Sequence, residues 1–178
     1  MENKTASLIE NTLIEMCKSR SFSSIKVKDI CTKANISKQT FYNHFQDKFD
    51  IVTNIYLKDI QSEAVFAETD PLKQLKIQHA TLWNRRDFYQ NVFDDKSQNS
   101  LFHFSKSYSE AFNKQMVASG KELTNEQKYL LSYNSYGWVG CFDDWIHERL
   151  KISSDELAEI VYKTVPRVVE GSWLKEEV

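Results

Sequence analysis

Apolar and polar positions alternate with the period of two short helices between residues 27 and 45. In the first helix, Val27, Ile30 and Ala34 fall on one side and lysines fall on the other. The pattern stops at Asn35, and Asn is the non-glycine residue that most readily takes the left-handed conformation of a tight turn. The sequence therefore predicts a helix, a sharp turn and a second helix.

The second helix begins after Ser37, a residue type that caps helix N-termini. Phe41 and Phe45 lie four residues apart and share one face. The other faces carry a nearly continuous polar surface, formed by Lys38, Gln39, Thr40, Tyr42, Asn43 and His44. The two helices together predict a helix-turn-helix.

A polar helix of this kind suits the major groove of DNA, which admits one helix and exposes base edges. We predict that Lys38 and Gln39 read bases and that Tyr42, His44 and Lys48 contact phosphates. The predicted DNA-binding residues are Lys28, Ser37, Lys38, Gln39, Thr40, Tyr42, Asn43, His44 and Lys48. The alternative is that this surface is only the solvated side of a helical bundle, with the tyrosine half buried.

Residues 8–56 resemble the DNA-binding domain of the tetracycline-repressor (TetR) family of bacterial regulators. The segments that carry the resemblance are LIENTLIEMC, IKVKDIC, ISKQTFYNHF and QDKFDIVTNIY. The family's T-x-Y-x-H-F core is found at residues 40–45. Asn35 replaces the family's common Gly, and Phe41 replaces its usual Leu or Ile. The short FYNHF helix and the aromatic body also resemble regulators of the dihydroxyacetone-kinase type.

The resemblance implies two parts: a DNA-binding domain at residues 1–48, with three helices, and a helical ligand-binding and dimerisation domain at residues 49–178. Four Gly and two Pro among 178 residues also favour an all-α fold. Three helix starts in the body are predicted by caps, at Asp70 before Pro71, at Thr124 and at Ser153. The first helix is predicted over about 5–20, and a connecting helix is predicted to continue to about residue 66.

The charge is distributed unevenly. Residues 21–48 contain five lysines and two aspartates, which gives them a net charge of +3. The whole chain has a net charge of −2, so the remaining residues carry −5. This basic head favours a nucleic-acid partner, and the predicted partner is double-stranded DNA. A two-fold dimer would match a palindromic operator. The chain lacks an apolar run that could cross a membrane and an apolar signal segment at its N-terminus, which predicts a cytoplasmic protein without a membrane partner. The three cysteines are predicted to be reduced thiols.

Aromatic residues and two glycines near the C-terminus indicate a homodimer. Gly137 and Gly140 are costly inside a helix unless another backbone comes close. In the TetR family the last two helices pair with the same helices of a second subunit. The predicted dimer interface comprises Trp138, Phe142, Trp145, Val161, Val165, Val168 and Trp173. The alternative is that these residues form the core of a monomer.

The family resemblance also implies a pocket for an unknown small-molecule effector in the body. The predicted lining is Trp83, Phe102, Phe104, Tyr108, Tyr133 and Tyr136, with His79 or His103 as a polar group. These aromatic residues could equally fill the core.

We predict that the chain is not an enzyme and holds no cofactor, no metal and no catalytic residue. Asp143, Asp144 and His147 would lie side by side on a helix, but the sequence offers no second ligand motif, so an ion pair is the simpler interpretation. The favoured function is a dimeric transcriptional repressor released from DNA by a small molecule. The alternative is an activator or co-regulator whose body binds a partner protein instead.

Overall fold

The computed structural model describes residues 4–117 and 124–170, with the side chains of 4–111 and 124–164. Throughout these residues the regular structure is helical, which confirms the predicted all-α fold. The elements are α1 (Lys4–Cys17), a 3-10 turn (Phe22–Ser24), α2 (Val27–Ala34), α3 (Lys38–Tyr42), α4 (Lys48–Ile60), α5 (Glu63–Ala67), α6 (Pro71–Asn84), α7 (Arg86–Phe93), α8 (Leu101–Val117), α9 (Asn125–Ile146) and α10 (Ser154–Glu170).

The three predicted caps in the body are confirmed. The Asp70 carboxylate accepts the N–H groups of Leu72 at 2.9 Å and Lys73 at 3.2 Å. The Thr124 and Ser153 hydroxyls each accept the N–H three residues further on, both at 3.2 Å. Each cap satisfies N–H groups that have no partner within the helix, so these starts are fixed by local sequence.

Two predicted helix ends differ from the structure. Helix α1 stops at Cys17 rather than near residue 20, and the connecting helix is broken after Ile60. The Gln78 amide of α6 donates to the Ile60 carbonyl at 2.7 Å. In a continuing helix, a backbone N–H further along the chain would donate to the Ile60 carbonyl. Here Gln78 of another helix takes that place, so the break depends on tertiary packing.

The buried apolar residues form a head core and a body core that run into each other. In the head, Leu13, Ile30 and Phe41 come from α1, α2 and α3 and pack with the start of α4. In the body, Phe93 and Trp145 come from α7 and α9, and α10 packs mainly on α6. The division after residue 48 stays a prediction, because the buried cluster is continuous through α4. Across the described ranges, every helix is too short or too polar to cross a bilayer.

Candidate nucleic-acid interface

The turn between α2 and α3 has the predicted conformation. Asn35 lies in the left-handed region, with φ 53° and ψ 46°. The Ile36 N–H donates to the Cys31 carbonyl at 3.0 Å, which closes the end of α2. Asn thus supplies the turn that Gly commonly makes, and α3 leaves α2 at a fixed angle.

Helix α3 is held by its two phenylalanines. Phe41 and Phe45 are buried in the head core, and the Phe45 N–H donates to the Phe41 carbonyl at 3.0 Å. The Ser37 hydroxyl accepts the Thr40 N–H at 2.9 Å and so caps the helix. With one face fixed, the opposite face must point outward.

The outward face of α3 carries most of the predicted DNA-binding side chains. Those exposed are Ser37, Lys38, Gln39, Tyr42 and Asn43, and those half-buried are Thr40 and His44. Tyr42 is 57% exposed and lies edge-on to Phe41, with 5.4 Å between ring centroids. The helix therefore presents amide, ammonium and phenol groups on one surface, which can donate to base edges and phosphates.

Helix α2 adds an exposed lysine beside this face. Lys28 is exposed, and its neighbour Asp29 is paired with Arg20 at 3.1 Å. The Lys26 N–H and the Arg20 guanidinium lower the pKa of the Asp29 carboxyl. Because Arg20 offsets this carboxylate, the surface near Lys28 keeps its positive character.

Lys48 differs from the other predicted phosphate contacts. Its ammonium donates to the carbonyl oxygens of Phe22 at 2.7 Å and Ser23 at 3.3 Å. Burial lowers the pKa of this lysine. The ammonium of this half-buried lysine fastens the 3-10 turn to α4, and its assignment as a phosphate contact stays a prediction.

The six residues predicted to line a pocket contact different neighbours. Trp83 packs on Trp145, with 4.9 Å between centroids, whereas Phe104 stacks on Tyr108 at 6.0 Å. Phe102 is half-buried beside Lys96, whose ammonium lies 5.0 Å from its ring centroid. The remaining two, Tyr133 and Tyr136, are exposed. Within the single chain these side chains face different neighbours, and their assignment as a ligand pocket stays a prediction.

Helix α9 buries aromatic residues that the sequence predicts at the dimer interface and exposes tyrosines that it predicts in the pocket. Phe142 and Trp145, predicted at the dimer interface, are 2% and 0% exposed and lie in the subunit's own core. Trp138 is half-buried against this core, and Val161 of α10 also packs on it. The tyrosines assigned to the pocket lie on the opposite, outward face. The side chains of Val165, Val168 and Trp173 lie outside the described residues.

The exposed face of α9 includes a residue that the sequence analysis missed. Tyr129 is exposed, and its ring stacks on that of Tyr133 with 6.5 Å between centroids. The four-residue spacing of the two tyrosines was a usable signal, since side chains at i and i+4 share a face. We call Tyr129, Tyr133, Tyr136, Gly137 and Gly140 the outer α9 face.

A cleft of about 430 Å³, lined by polar residues and by Phe49 and Phe104, opens between the start of α4 and the start of α8. Its lining includes Asp47, Asp50 and Thr53 on the head side and Asn99, Ser100 and His103 on the body side. Of the six predicted pocket residues, Phe104 borders it. This cleft lies between the head and the body.

Asp143 and His147, at the C-terminal end of α9, lie in a cluster of acidic and basic side chains. His147 Nδ1 lies 3.1 Å from Asp143, and Nε2 lies 3.2 Å from Asp94. Lys96 and Arg149 also contact Asp143, each at 3.1 Å. The Asp143 carboxylate is therefore already paired with Lys96 and Arg149. Over the described ranges, no group of three or more His, Cys, Asp or Glu residues is placed to hold a metal ion.

A helix-turn-helix head on a larger helical body defines a class of DNA-binding transcriptional regulators. Residues 12–55 match the family model described as bacterial regulatory proteins, tetR family. Residues 75–167, more than half of the chain, match the model described as transcriptional regulator C-terminal region. The chain belongs to the TetR family of transcriptional regulators.

The fold is similar to that of the dihydroxyacetone kinase operon activator DhaS, with 20% identity, a TM-score of 0.62 and coverage of 93% of this chain and 96% of that one. Two further structures match. The fatty acid degradation regulator FadR from Bacillus halodurans has 11% identity, a TM-score of 0.45 and coverage of 93% and 96%. A TetR-family regulator from Syntrophomonas wolfei has 17% identity, a TM-score of 0.43 and coverage of 94% and 96%. No curated protein matches the chain in sequence.

Proposed function

We propose that this protein is a homodimeric, sequence-specific transcriptional regulator that reads a palindromic operator with α3. The observation that carries the proposal is the outward polar face of α3, fixed by the buried Phe41 and Phe45. Lys38 and Gln39 contact bases, whereas Lys28 and Tyr42 contact phosphates. Lys48 acts indirectly, by holding the 3-10 turn behind the helix-turn-helix.

The outer α9 face supports the homodimer. Its three tyrosines are 70%, 67% and 55% exposed, an aromatic surface that is costly to leave in water. A Cβ added at Gly137 or Gly140 would meet no heavy atom of this chain within 4 Å. These glycines are therefore not required by packing inside the subunit. They allow a second copy of α9 to approach closely.

A dimer also satisfies the geometry of DNA recognition. One recognition helix covers too few base pairs for selective binding, and two heads related by a two-fold axis match two half-sites about one helical turn apart. The operator is therefore a palindrome, and the spacing of its two half-sites matches the distance between the two heads.

The first mode of action is repression released by a small-molecule effector. The cleft between α4 and α8 supports this mode, because a ligand in it would contact Asp50 and Thr53 of α4 together with His103 of α8. Such a ligand would favour one position of the head over another and so change operator affinity.

The second mode is activation, with a partner protein bound to the body. Two observations favour it: two of the six predicted pocket residues, Tyr133 and Tyr136, are exposed, and the similar fold of DhaS belongs to a protein named as an operon activator. In this mode the partner protein binds a surface of the body outside the outer α9 face, which the second subunit covers.

Selection of bound duplexes from a random DNA pool tests the proposal. The purified protein should enrich a palindrome, and its affinity should fall steeply between two salt concentrations, because phosphate contacts release counterions. Failure to enrich any sequence, with weak binding even at low salt, would contradict sequence-specific recognition.

Transcription in vitro then separates the two modes. A promoter carrying the selected palindrome is transcribed with and without the protein, and a promoter with a scrambled palindrome is the control. Reduced transcript from the first promoter supports repression, and increased transcript supports activation.

A further inference from the structure

Asn91 of α7 connects the body to the DNA-reading head through one side-chain amide. Its Oδ1 accepts the Phe22 N–H at 2.7 Å. Its Nδ2 donates to the carbonyl oxygens of Cys17 and Arg20, both at 2.8 Å. The amide thus binds the end of α1, the loop after it and the 3-10 turn, and its acceptor and both donors are used.

Gln90, the residue before it, connects the same helix to α9. Its Nε2 donates to the carbonyl of Ile146 at 2.7 Å, and Ile146 is the last residue of α9. Carbonyls at a helix C-terminus have no partner within the helix, so this bond satisfies a group that needs one. Helix α9 also carries the outer α9 face.

Helix α7 is a rigid spacer between these two contacts. Adjacent residues on a helix point about 100° apart, so Gln90 and Asn91 reach different neighbours from one short segment. The apolar side of α7, which includes Tyr89, Val92 and Phe93, is buried in the body core. Movement at the end of α9 would therefore be transmitted to the head without an intervening loop.

We infer that Gln90 and Asn91 hold the reading head in register with the C-terminal end of α9, and that Asn91 is a positioning residue for operator recognition. The inference rests on the proposed function, because register matters only when two heads must match two half-sites. Asn91 acts through the placement of α1 and the 3-10 turn and does not touch DNA.

The head should remain attached to the body when Asn91 is replaced by alanine. Helix α4 continues from the head into the body, and Leu13 and Ile51 of α1 and α4 lie in the shared buried cluster. Loss of the amide leaves two carbonyls and one N–H without this partner. The predicted result is a folded head whose position is less defined.

The test compares wild type, Asn91→Ala and Asn84→Ala on a set of duplexes. Asn84 is an exposed amide at the end of α6, which makes Asn84→Ala a matched control. The duplexes are the selected palindrome, versions with one or two base pairs added or removed at its centre, and random-sequence DNA. Each added base pair moves one half-site along and around the duplex, so altered spacing challenges the register of the heads.

Asn91→Ala removes three hydrogen bonds that hold the head in position. The ratio of affinities for the original and the altered spacing should therefore fall by about tenfold. Binding of Asn91→Ala to random DNA should match that of wild type and of Asn84→Ala. An unchanged spacing preference would overturn the inference. Equal loss on every duplex would also overturn it, because that result indicates an unfolded head instead of a misplaced one.

Hydrogen exchange on the free protein provides a measurement that does not depend on an operator. Asn91→Ala should speed exchange in peptides covering residues 17–25, while the body and Asn84→Ala stay like wild type. Unchanged exchange in 17–25 would overturn the inference. If wild type enriches no palindrome, the proposed function fails by itself, and the exchange experiment still tests whether Asn91 holds the head.

Discussion

The ammonium of Lys48 donates to the backbone carbonyl of Phe22 at 2.7 Å, and it also lies 4.2 Å from the centroid of the Phe22 ring. A lysine that sequence places among the phosphate contacts is therefore used to fix the 3-10 turn against α4. The same ammonium thus links both the backbone and the ring of Phe22 to the start of α4.

Salt dependence distinguishes Lys48 from Lys28. Each phosphate contact that is lost should reduce the steepness of log affinity against log salt concentration by about one. Lys28→Ala removes one contact in each subunit, so the slope for a dimer should fall by about two. Lys48→Ala should leave the slope unchanged but lower the free energy of unfolding by about 1 kcal/mol, since its charge-assisted hydrogen bonds are removed. Filter binding over a salt series and thermal unfolding measure both. A lower slope for Lys48→Ala would return it to the phosphate contacts.

Gln39 and Tyr42 should affect specificity in different ways. Gln39→Ala should cost about 1–3 kcal/mol on the selected operator and relax the preference at one base position. Tyr42→Phe should weaken binding to all duplexes by a similar factor, because a phosphate contact carries no sequence information. Binding to single-base operator variants measures both effects. Equal losses on specific and random DNA for Gln39→Ala would show that its assigned role is wrong.

Gly137→Ala should have opposite effects on the monomer and the dimer. Within the subunit the added Cβ meets no heavy atom within 4 Å, so the isolated helix should gain about 0.5–1 kcal/mol. At a close helix contact the same methyl group should weaken association. Sedimentation equilibrium measures the dimer constant, and thermal unfolding at low concentration measures the monomer. Dimerisation as tight as in wild type would place the contact elsewhere.

The thiol of Cys141 should report on the dimer. Cys17 and Cys31 are buried, and burial raises the pKa of Cys17 to about 11, so these thiols should react slowly. Cys141 is exposed beside the outer α9 face and should react fast in the monomer. Its labelling should slow as protein concentration rises through the dimer range, with denatured protein as the control for all three thiols. A rate independent of concentration would contradict the proposed interface.

The ionisation of Asp59 should make the free energy of unfolding depend on pH. Burial raises the pKa of its carboxyl, although the Tyr89 hydroxyl at 2.6 Å and Arg85 at 2.9 Å oppose the shift. The folded state therefore holds this proton more tightly than the unfolded chain. The resulting stability is present below the unfolded pKa of about 3.9 and is lost as pH rises through the higher folded pKa.

The variant Asp59→Asn isolates this contribution. Its free energy of unfolding should increase relative to wild type as pH rises from about 4, since the neutral amide does not ionise. Denaturant unfolding at several pH values measures the difference. A difference that shrinks with rising pH would show that the ionised Asp59 stabilises the fold.

The features that depend on neighbours within about five residues could be predicted from sequence. The left-handed turn at Asn35, the caps at Asp70, Thr124 and Ser153, and the buried pair Phe41 and Phe45 all belong to this group. The turn and the caps are decided by hydrogen bonds or steric limits inside one helix end or one turn, and the shared face of Phe41 and Phe45 follows from their four-residue spacing. These local rules determined the helix-turn-helix and the all-α fold.

Only the tertiary structure decided which face of α9 is buried. The helix carries aromatic residues on opposite sides, so periodicity could not tell Trp145, now in the core, from Tyr133, now on the surface. Lys48 and Asn91 have partners 26 and 69 residues away, at Phe22 in both cases. Contacts over such separations depend on how helices pack, and no local pattern encodes their partners.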